Sequence, residues 1–230
     1  MNVNSNAYTY TFATVMVVIV AVLLSGASLG LKSRQSANIT QEKKQSILAS
    51  IGIEKNRAES DLIFTQYVKQ SLTLSGGKVV SEDASAAFDI DMAKAVKSDN
   101  MERSVPLYVT EKDGETFYVV PLRGKGLWGP VWGYLALESD GNTVVGATFG
   151  HKSETPGLGA EITTPIFTDQ FPGKKISEAG VFQSISVVKA GTSAGNYMVD
   201  GISGGTITSN GVNDMLTDCL APYAVYFKNI

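Results

Sequence analysis

The chain has 230 residues, of which 43% are hydrophobic, and a formal net charge of −3 at pH 7. This length allows one sizeable core with appendages, and the slightly acidic balance gives no electrostatic footprint for binding nucleic acid. Because Cys219 and His151 are the only cysteine and the only histidine, the sequence excludes an internal disulfide and a zinc site made of cysteine and histidine.

The N-terminal segment has the composition of a membrane-spanning helix. No charged side chain precedes Lys32, and residues 12–24 are almost continuously apolar. The apolar stretch, extended by glycine and serine, is long enough to cross a bilayer, and Lys32 and Arg34 mark its far interface. A cleaved signal peptide is the alternative, since small residues follow at 25–28, but the positively charged n-region is missing. The sequence therefore predicts a retained anchor over residues 1–34.

The next region, residues 35–104, is predicted to be a helical connection. Apolar residues on one face indicate a helix over 38–53 that leads away from the membrane, and a second helix is predicted over 59–72. Residues 75–100 are rich in glycine, serine, alanine and aspartate and carry little periodicity beyond one weak helix.

From residue 105 the pattern changes to that of strands. Asp113-Gly114 and the segment 139–142 are typical of turns, and each is flanked by two strand-like runs, so two hairpins are predicted. Consecutive hairpins favour an antiparallel sheet with helices packed on it, which is an α+β fold. The predicted strands cover residues 105–110, 116–122, 131–138, 143–149 and 181–189.

A glycine-rich loop leads into the last predicted helix. Residues 200–211 contain four glycines and four hydroxyl side chains, and the apolar spacing from Val212 onward predicts a helix with Ser209 or Asn210 as its N-cap and Asp214 in its first turn. The unpaired N–H groups and the dipole of such a helix N-terminus favour a phosphate. The alternative is an ordinary loop before a packed helix. It is neither a Walker loop nor a G-x-G-x-x-G run.

Two G-x-S-x-G matches occur, at 191–195 and at 201–205. A hydrolase nucleophile elbow needs a histidine after its serine, and no histidine follows His151. Neither serine is therefore predicted to be a nucleophile, and no catalytic side chain is expected.

Two further loops lie between the predicted strands. Residues 124–130, Gly-Lys-Gly-Leu-Trp-Gly-Pro, combine backbone freedom with the large planar side chain of Trp128, although a connection with a packed tryptophan is the alternative. Residues 151–159, His-Lys-Ser-Glu-Thr-Pro-Gly-Leu-Gly, form a turn-rich loop that indicates no chemistry on its own.

These three runs resemble one family, in that family's order. The run at 200–206 resembles the flavinylation motif Asp-x-x-Ser/Thr-Gly-Ala-Thr of the FMN-binding domains in ion-translocating redox complexes. The longer run to Val212 most resembles the C subunits of the Na+-translocating NADH:quinone oxidoreductases. Gly205 stands where this family usually has alanine. The Gly-Leu-Trp loop, the Glu-Thr-Pro-Gly-Leu-Gly loop and the apolar N-terminus also match, so the resemblance covers nearly the whole chain.

The resemblance implies a site for FMN joined covalently, through its phosphate, to Thr206. It implies that the Glu-Thr-Pro-Gly-Leu-Gly loop lies along the isoalloxazine ring, with Trp128 shaping the ring's surroundings. Pattern alone leaves Thr208 and Ser209 as rival hydroxyls. The expected cofactor-binding residues are Trp128, Glu154, Thr155, Gly157, Leu158, Gly159, Ser203, Gly204, Gly205, Thr206, Ile207, Thr208 and Ser209; no metal ligand is expected.

The resemblance also implies an electron-transfer subunit of a membrane-bound Na+-pumping NADH:quinone reductase. Such a subunit relays electrons from an iron–sulfur centre to another covalent-flavin subunit, binds neither NADH nor quinone, and receives its FMN from a flavin transferase. The alternatives are the G-type subunit of the related ferredoxin:NAD oxidoreductase and a membrane-anchored binding module without cofactor. The family places the FMN-binding domain, expected over 105–230, outside the bacterial cytoplasmic membrane, whereas the positive charges of residues 32–44 would place it inside.

Overall fold

The computed structural model describes residues 3, 5–57, 59–99 and 102–229. The chain divides into two compact units, Met1–Lys43 and Lys44–Ile230. The domain boundaries expected at residues 34 and 104 stay a prediction; two strands from residues 35–104 belong to the sheet of the second unit.

Helix α1 runs without interruption over Asn6–Ser50. Its apolar part is long enough to cross a membrane, and none of that window is buried. The separate helix predicted over 38–53 is the C-terminal part of α1, because no glycine or proline occurs from residue 31 to 51 to break the helix. The helix ends before Gly52, whose φ of 72° reverses the chain. The ammonium of Lys112 donates a hydrogen bond of 2.9 Å to the Ile51 carbonyl.

The second unit is built on one six-stranded sheet with the order β2-β1-β3-β4-β5-β6. Every neighbouring pair is antiparallel. Both predicted hairpins are confirmed, and positive φ angles at Asp113 and Gly114 form the first turn. The strands are β1 (Val68–Ser75), β2 (Lys78–Ser81), β3 (Val105–Lys112), β4 (Glu115–Lys125), β5 (Pro130–Leu137) and β6 (Val144–His151).

Two sequence-based assignments are wrong in detail. The helix predicted over 59–72 ends at Tyr67, as α2 (Ser60–Tyr67), and the chain continues as β1, which pairs with β3. Long-range strand pairing, which local periodicity does not reveal, decides the conformation there. The strand predicted over 181–189 is two short strands, β8 (Val181–Phe182) and β9 (Ser186–Val188), separated at Ser184, where φ is 63°.

The remaining elements are short, apart from the last helix. Helices α3 (Ala84–Phe88) and α4 (Met92–Ala95) occupy the region with little pattern. After the sheet come a 3-10 helix (Gly159–Thr163), α5 (Pro165–Thr168), β7 (Ser177–Glu178), β8, β9, a second 3-10 helix (Gly195–Tyr197), β10 (Met198–Asp200) and α6 (Thr206–Lys228).

The sheet buries apolar side chains on both faces, because successive residues of a strand point to opposite sides. In β4, Val120 and Leu122 pack in the cluster that contains the apolar face of α6. Phe117 and Val119 of the same strand pack in a second cluster with the end of α1. The site described below lies at the N-terminal end of α6.

Candidate functional site

Helix α6 begins at Thr206, earlier than the sequence predicts. Gly205 is the N-cap residue and makes no side-chain capping bond. The predicted N-cap at Ser209 or Asn210 is wrong, because the N–H of Ser209 already donates to the Gly205 carbonyl at 2.9 Å, a bond of the first helical turn. Asp214 therefore lies beyond the first turn. Capping preference misled the prediction, since these polar side chains serve other partners or solvent.

The earlier start changes which N–H groups are available to an anion. The first residues of a helix have no carbonyl four positions back to receive their N–H groups. In α6 these are Thr206, Ile207 and Thr208, rather than the residues around 208–211 that the sequence indicates. The positive end of a 23-residue helix therefore begins at the threonine of the motif itself.

Burial separates the three rival hydroxyl groups. Thr206 is exposed to solvent. Thr208 is 1% exposed, and its hydroxyl donates a hydrogen bond of 2.6 Å to Oε2 of Glu154. Ser209 is 5% exposed, and its hydroxyl accepts the N–H of Ile202 at 2.9 Å. Only Thr206 therefore presents an accessible hydroxyl at the start of the helix.

One buried carboxylate joins all three segments predicted to form the site. Oε1 of Glu154 accepts the backbone N–H of Trp128 at 2.8 Å, and Oε2 accepts the hydroxyl of Thr208. Side chains at Gly126 or Gly159 would collide with this carboxylate. We call the contacts of Glu154 with Trp128 and Thr208 the carboxylate clamp. It links residues 124–130 and 151–159 to α6 from beneath the surface.

The glycines of the motif allow the loops to approach closely. A Cβ at Gly204, where φ is 77°, would lie 2.8 Å from Cδ2 of Leu158. At Gly205, where the family usually has alanine, a Cβ would lie 3.1 Å from Cβ of Ile202. An alanine there therefore requires a shift of only a few tenths of an ångström. Gly157 has a φ of 74° and no atom near its missing Cβ, so its glycine serves the turn.

Apolar side chains are exposed around Thr206. The exposed fractions are 65% for Trp128, 42% for Leu158 and 58% for Ile207. Thr155 is also exposed, and its carbonyl accepts the N–H of Leu158 at 3.1 Å, which shapes the loop. Exposed apolar groups on three different segments, held together by the clamp, form a surface suited to a flat aromatic ligand.

Asp200, the first residue of the motif, is held on both sides. It ends β10, which pairs in parallel with β9, and its carboxylate accepts the N–H groups of Thr192 and Ser193 at 3.0 and 2.8 Å. The bond from Ser193 lowers the pKa of the Asp200 carboxyl. The amide of Gln170 bonds both the N–H and the carbonyl of Asp200. The motif therefore begins at a residue whose backbone and side chain are both held by hydrogen bonds, at the end of β10.

A cleft of about 410 Å³ lies beside the motif. Its walls are residues 187–190, which continue β9, the motif residues Gly201–Gly204, and the first turn of α6, including Thr206. Ser203 is exposed within this lining. The attachment candidate Thr206 thus belongs to the lining of this cleft, whereas the exposed apolar residues Trp128, Leu158 and Ile207 do not.

Sequence reasoning missed several residues that position the site. Nδ1 of His151 accepts the N–H of Glu154 at 3.1 Å, and Oε1 of Glu161 accepts the N–H of Gly157 at 2.8 Å. Gln170 was also missed. His151 and Glu161 lie three and four residues from their partners, a local signal; Gln170 is thirty residues from Asp200, and nothing in the sequence indicates that contact.

The comparisons with known proteins point to one family. A family model described as FMN-binding domain matches residues 126–221, which include the loop at 151–159, the motif and all but the first two residues of the loop at 124–130. The C subunit of the Na(+)-translocating NADH-quinone reductase of Vibrio parahaemolyticus is 33% identical over 213 residues, covering 84% of this chain and 82% of that protein.

Two solved structures are similar as well. The C subunit of the Na(+)-translocating NADH-quinone reductase from Parabacteroides distasonis aligns with a TM-score of 0.78 and 43% identity, over 87% of this chain and 98% of that one. Shewanella oneidensis NqrC aligns with a TM-score of 0.68 and 27% identity, over 83% and 98%. The fold is that of the FMN-binding domain class. Within that class, the chain belongs to the family formed by the C subunits of Na+-translocating NADH-quinone reductases.

Proposed function

We propose that this protein is the electron-transfer subunit of a Na+-translocating NADH:quinone reductase that carries FMN joined through its phosphate to Thr206. The observation that carries the proposal is the position of Thr206: an exposed hydroxyl at the first residue of α6, in the register of the family motif. Family membership supports the redox role.

The start of α6 suits a phosphate ester. The N–H groups of Thr206, Ile207 and Thr208 have no partner within the helix, and the helix dipole adds positive potential at the same place. Gly204 and Gly205 leave the approach free of side chains. Esterification breaks the Oγ–H bond of Thr206 and one P–O bond of the phosphate and forms an Oγ–P bond, with the elements of water lost overall, so a phosphate attached there stays beside these donors.

The exposed apolar surface suits the flavin ring. FMN, when bound, supplies reversible electron transfer, and the protein supplies attachment, orientation and surroundings. Trp128, Leu158 and Ile207 present apolar area, while Glu154 holds them in place from below. The role of Glu154 is therefore to fix the loop, since both of its carboxylate oxygens face protein donors. Covalent attachment removes the need to enclose the ring, so a partner's redox centre can approach it.

We assign this protein a place between an iron–sulfur centre and a second covalent-flavin subunit of the same complex. A flavin transferase would attach the FMN during maturation. The apolar part of α1 would anchor the chain in the lipid of the bacterial inner membrane by a single span, with the flavin domain on the external side. The uninterrupted helix and its apolar window support the anchor, and the family resemblance supports the external side.

The attachment is tested by substituting each hydroxyl in protein made together with the transferase. Thr206→Ala is expected to carry no covalent FMN, whereas Thr208→Val and Ser209→Ala retain it. In the wild type, mass spectrometry should find one FMN, less one water, on the fragment from Asp200 to Asn210. An FMN on Thr208 or Ser209 would contradict the register, and its absence from all three would favour a binding module without cofactor.

The sidedness is tested by a cysteine placed in the exposed turn at Asp113. The native thiol of Cys219 is buried and serves as the internal control. An impermeant thiol reagent applied to intact cells, with the outer membrane made permeable, should label the introduced cysteine. Labelling only after the inner membrane is opened would place the domain in the cytoplasm, as the positive charges of residues 32–44 favour.

A further inference from the structure

We propose that Lys189 is the cationic partner of the phosphate on Thr206, and that Asp200 positions it. This inference rests on the proposed function. It concerns the cleft beside the motif, where Lys189 and Thr206 belong to the same lining. Among the described residues of that lining, Lys189 alone carries a charge.

The backbone of Lys189 is fixed relative to the motif. Val188 pairs with Asp200 in the parallel ladder of β9 and β10, and its carbonyl accepts the N–H of Gly201 at 2.7 Å. The first two motif residues therefore lie directly beside the end of β9, and Lys189 is the residue that follows this strand. The ladder fixes the register of β9 against β10. Lys189, the residue after β9, therefore lies beside the point where the motif turns from Gly201 toward Thr206.

A tight turn holds the carbonyl of Lys189. The N–H and the hydroxyl of Thr192 both donate to it, at 3.1 and 2.6 Å. Asp200 in turn accepts the N–H groups of Thr192 and Ser193. The aspartate of the motif thus does not face the ligand: its carboxylate is engaged in holding the turn that follows Lys189.

The side chain of Lys189 is free to pair with a ligand. Residue 189 is exposed, and its ammonium forms no ion pair or hydrogen bond with any residue that the structure describes. A phosphate esterified both to Thr206 and to the ribityl chain keeps one negative charge. That charge would meet the N–H groups of α6 on one side and the Lys189 ammonium on the other, which gives it two independent sources of stabilisation.

The test compares full-length protein in detergent with and without attached FMN, in the wild type and three variants. Lys189→Met removes the charge but keeps the length, and Lys189→Arg keeps the charge. Lys228→Met is the matched control, because Lys228 is exposed at the other end of the same helix, about 33 Å from Thr206 at the helical rise. Mass spectrometry first establishes that FMN is present or absent in each preparation.

The measured quantity is the rise in Tm caused by FMN attachment. We expect Lys189→Met to lose about 1–3 °C of that rise, whereas Lys189→Arg and Lys228→Met keep it. The Tm values without FMN should be equal in the wild type and Lys189→Met. The difference between their FMN-dependent rises should vanish in 1 M NaCl, which screens an exposed ion pair. The 31P resonance of the attached phosphate should move in Lys189→Met and stay unchanged in Lys228→Met.

Three outcomes would overturn the inference. Equal FMN-dependent rises in the wild type, Lys189→Met and Lys228→Met, with FMN attached in each, would show that Lys189 does not face the phosphate while leaving the proposed function intact. An equal loss of Tm with and without FMN would assign Lys189 a structural role only. Absence of FMN from the wild type would remove the proposed function and the role of Lys189 together.

Discussion

The two faces of the central sheet each pack against a helix, but only one of them carries the candidate site. On one face, Ile47 and Leu48 of α1 pack among apolar side chains in a cluster of the ordinary kind. On the other face, α6 packs over the sheet through residues such as Leu216 and Leu220, but its first turn leaves the core and meets the carboxylate clamp. Apolar packing therefore holds both helices, whereas the site depends on a few polar contacts at the end of one of them.

The largest expected effect on stability comes from a cavity on the α1 face, and it tests whether the two faces are independent. Leu48 is 1% exposed, so Leu48→Ala should lower the free energy of unfolding by about 2–5 kcal/mol. FMN attachment to the folded fraction should be unchanged, because the cavity lies on the face away from α6. Denaturant unfolding and mass spectrometry measure the two quantities.

The matched control for this substitution is Leu23→Ala, at a position of α1 that is 67% exposed. It should leave the unfolding of the second unit unchanged. A large effect of Leu48→Ala on the flavin spectrum would contradict the independence of the two faces.

A smaller effect is expected when the carboxylate clamp is removed. Glu154→Ala leaves the N–H of Trp128 and the hydroxyl of Thr208 without their acceptor, at a cost of about 1–3 kcal/mol for such a group. Glu154→Gln should cost less, because the glutamine carbonyl can accept the N–H of Trp128 and its amide N–H can donate to the hydroxyl oxygen of Thr208. Both variants should retain FMN on Thr206 while changing its spectrum and midpoint potential.

Glu178→Ala is the control for the lost charge, since Glu178 is exposed and lies outside the site. If Glu154→Ala were as stable as Glu178→Ala, with an unchanged flavin potential, the clamp would have no role in holding the site.

The smallest effect on stability is expected on the exposed apolar surface. Trp128→Ala and Leu158→Ala should change the free energy of unfolding by about 0.5 kcal/mol or less, because both residues are exposed, Trp128 by 65% and Leu158 by 42%. Both should nevertheless alter the absorption spectrum or the potential of attached FMN. Leu62→Ala, at a position that is 79% exposed on α2, is the control. Identical midpoint potentials of the attached FMN in Trp128→Ala, Leu158→Ala and Leu62→Ala would show that this surface is not part of the ring site.

The features that were predicted correctly from the sequence depend on residues close together in the chain. The hairpin around Asp113 and Gly114 follows from its turn dipeptide and flanking alternation, and the structure has it. Strand β1 was missed because its conformation depends on pairing with β3, far along the chain. Sequence periodicity placed the start of α6 too late because Ser209 has the chemistry of a cap but bonds to Ile202.

The site shows the same division. Its segments could be found from motifs, since each motif is a continuous run. The contact that joins them could not, because Glu154 and Thr208 are separated by 54 positions. Likewise, nothing in the composition of the motif indicates that Asp200 holds the turn after Lys189. Long-range hydrogen bonds between ordinary polar residues are the part of a site that one sequence hides.

The place of α6 after the sheet in chain order sets the sequence in which the site is assembled. All six strands of the sheet and both loops are synthesised before it, and during synthesis the earlier part of a chain folds first. A chain that stops before Thr206 can form the hairpins and display Trp128. It lacks the hydroxyl of Thr206, and it lacks Thr208, the partner of Glu154 on α6. With FMN attached to Thr206 as proposed, maturation of the cofactor site would require a chain whose synthesis has passed the start of α6, and a chain terminated before Thr206 would not be loaded with flavin.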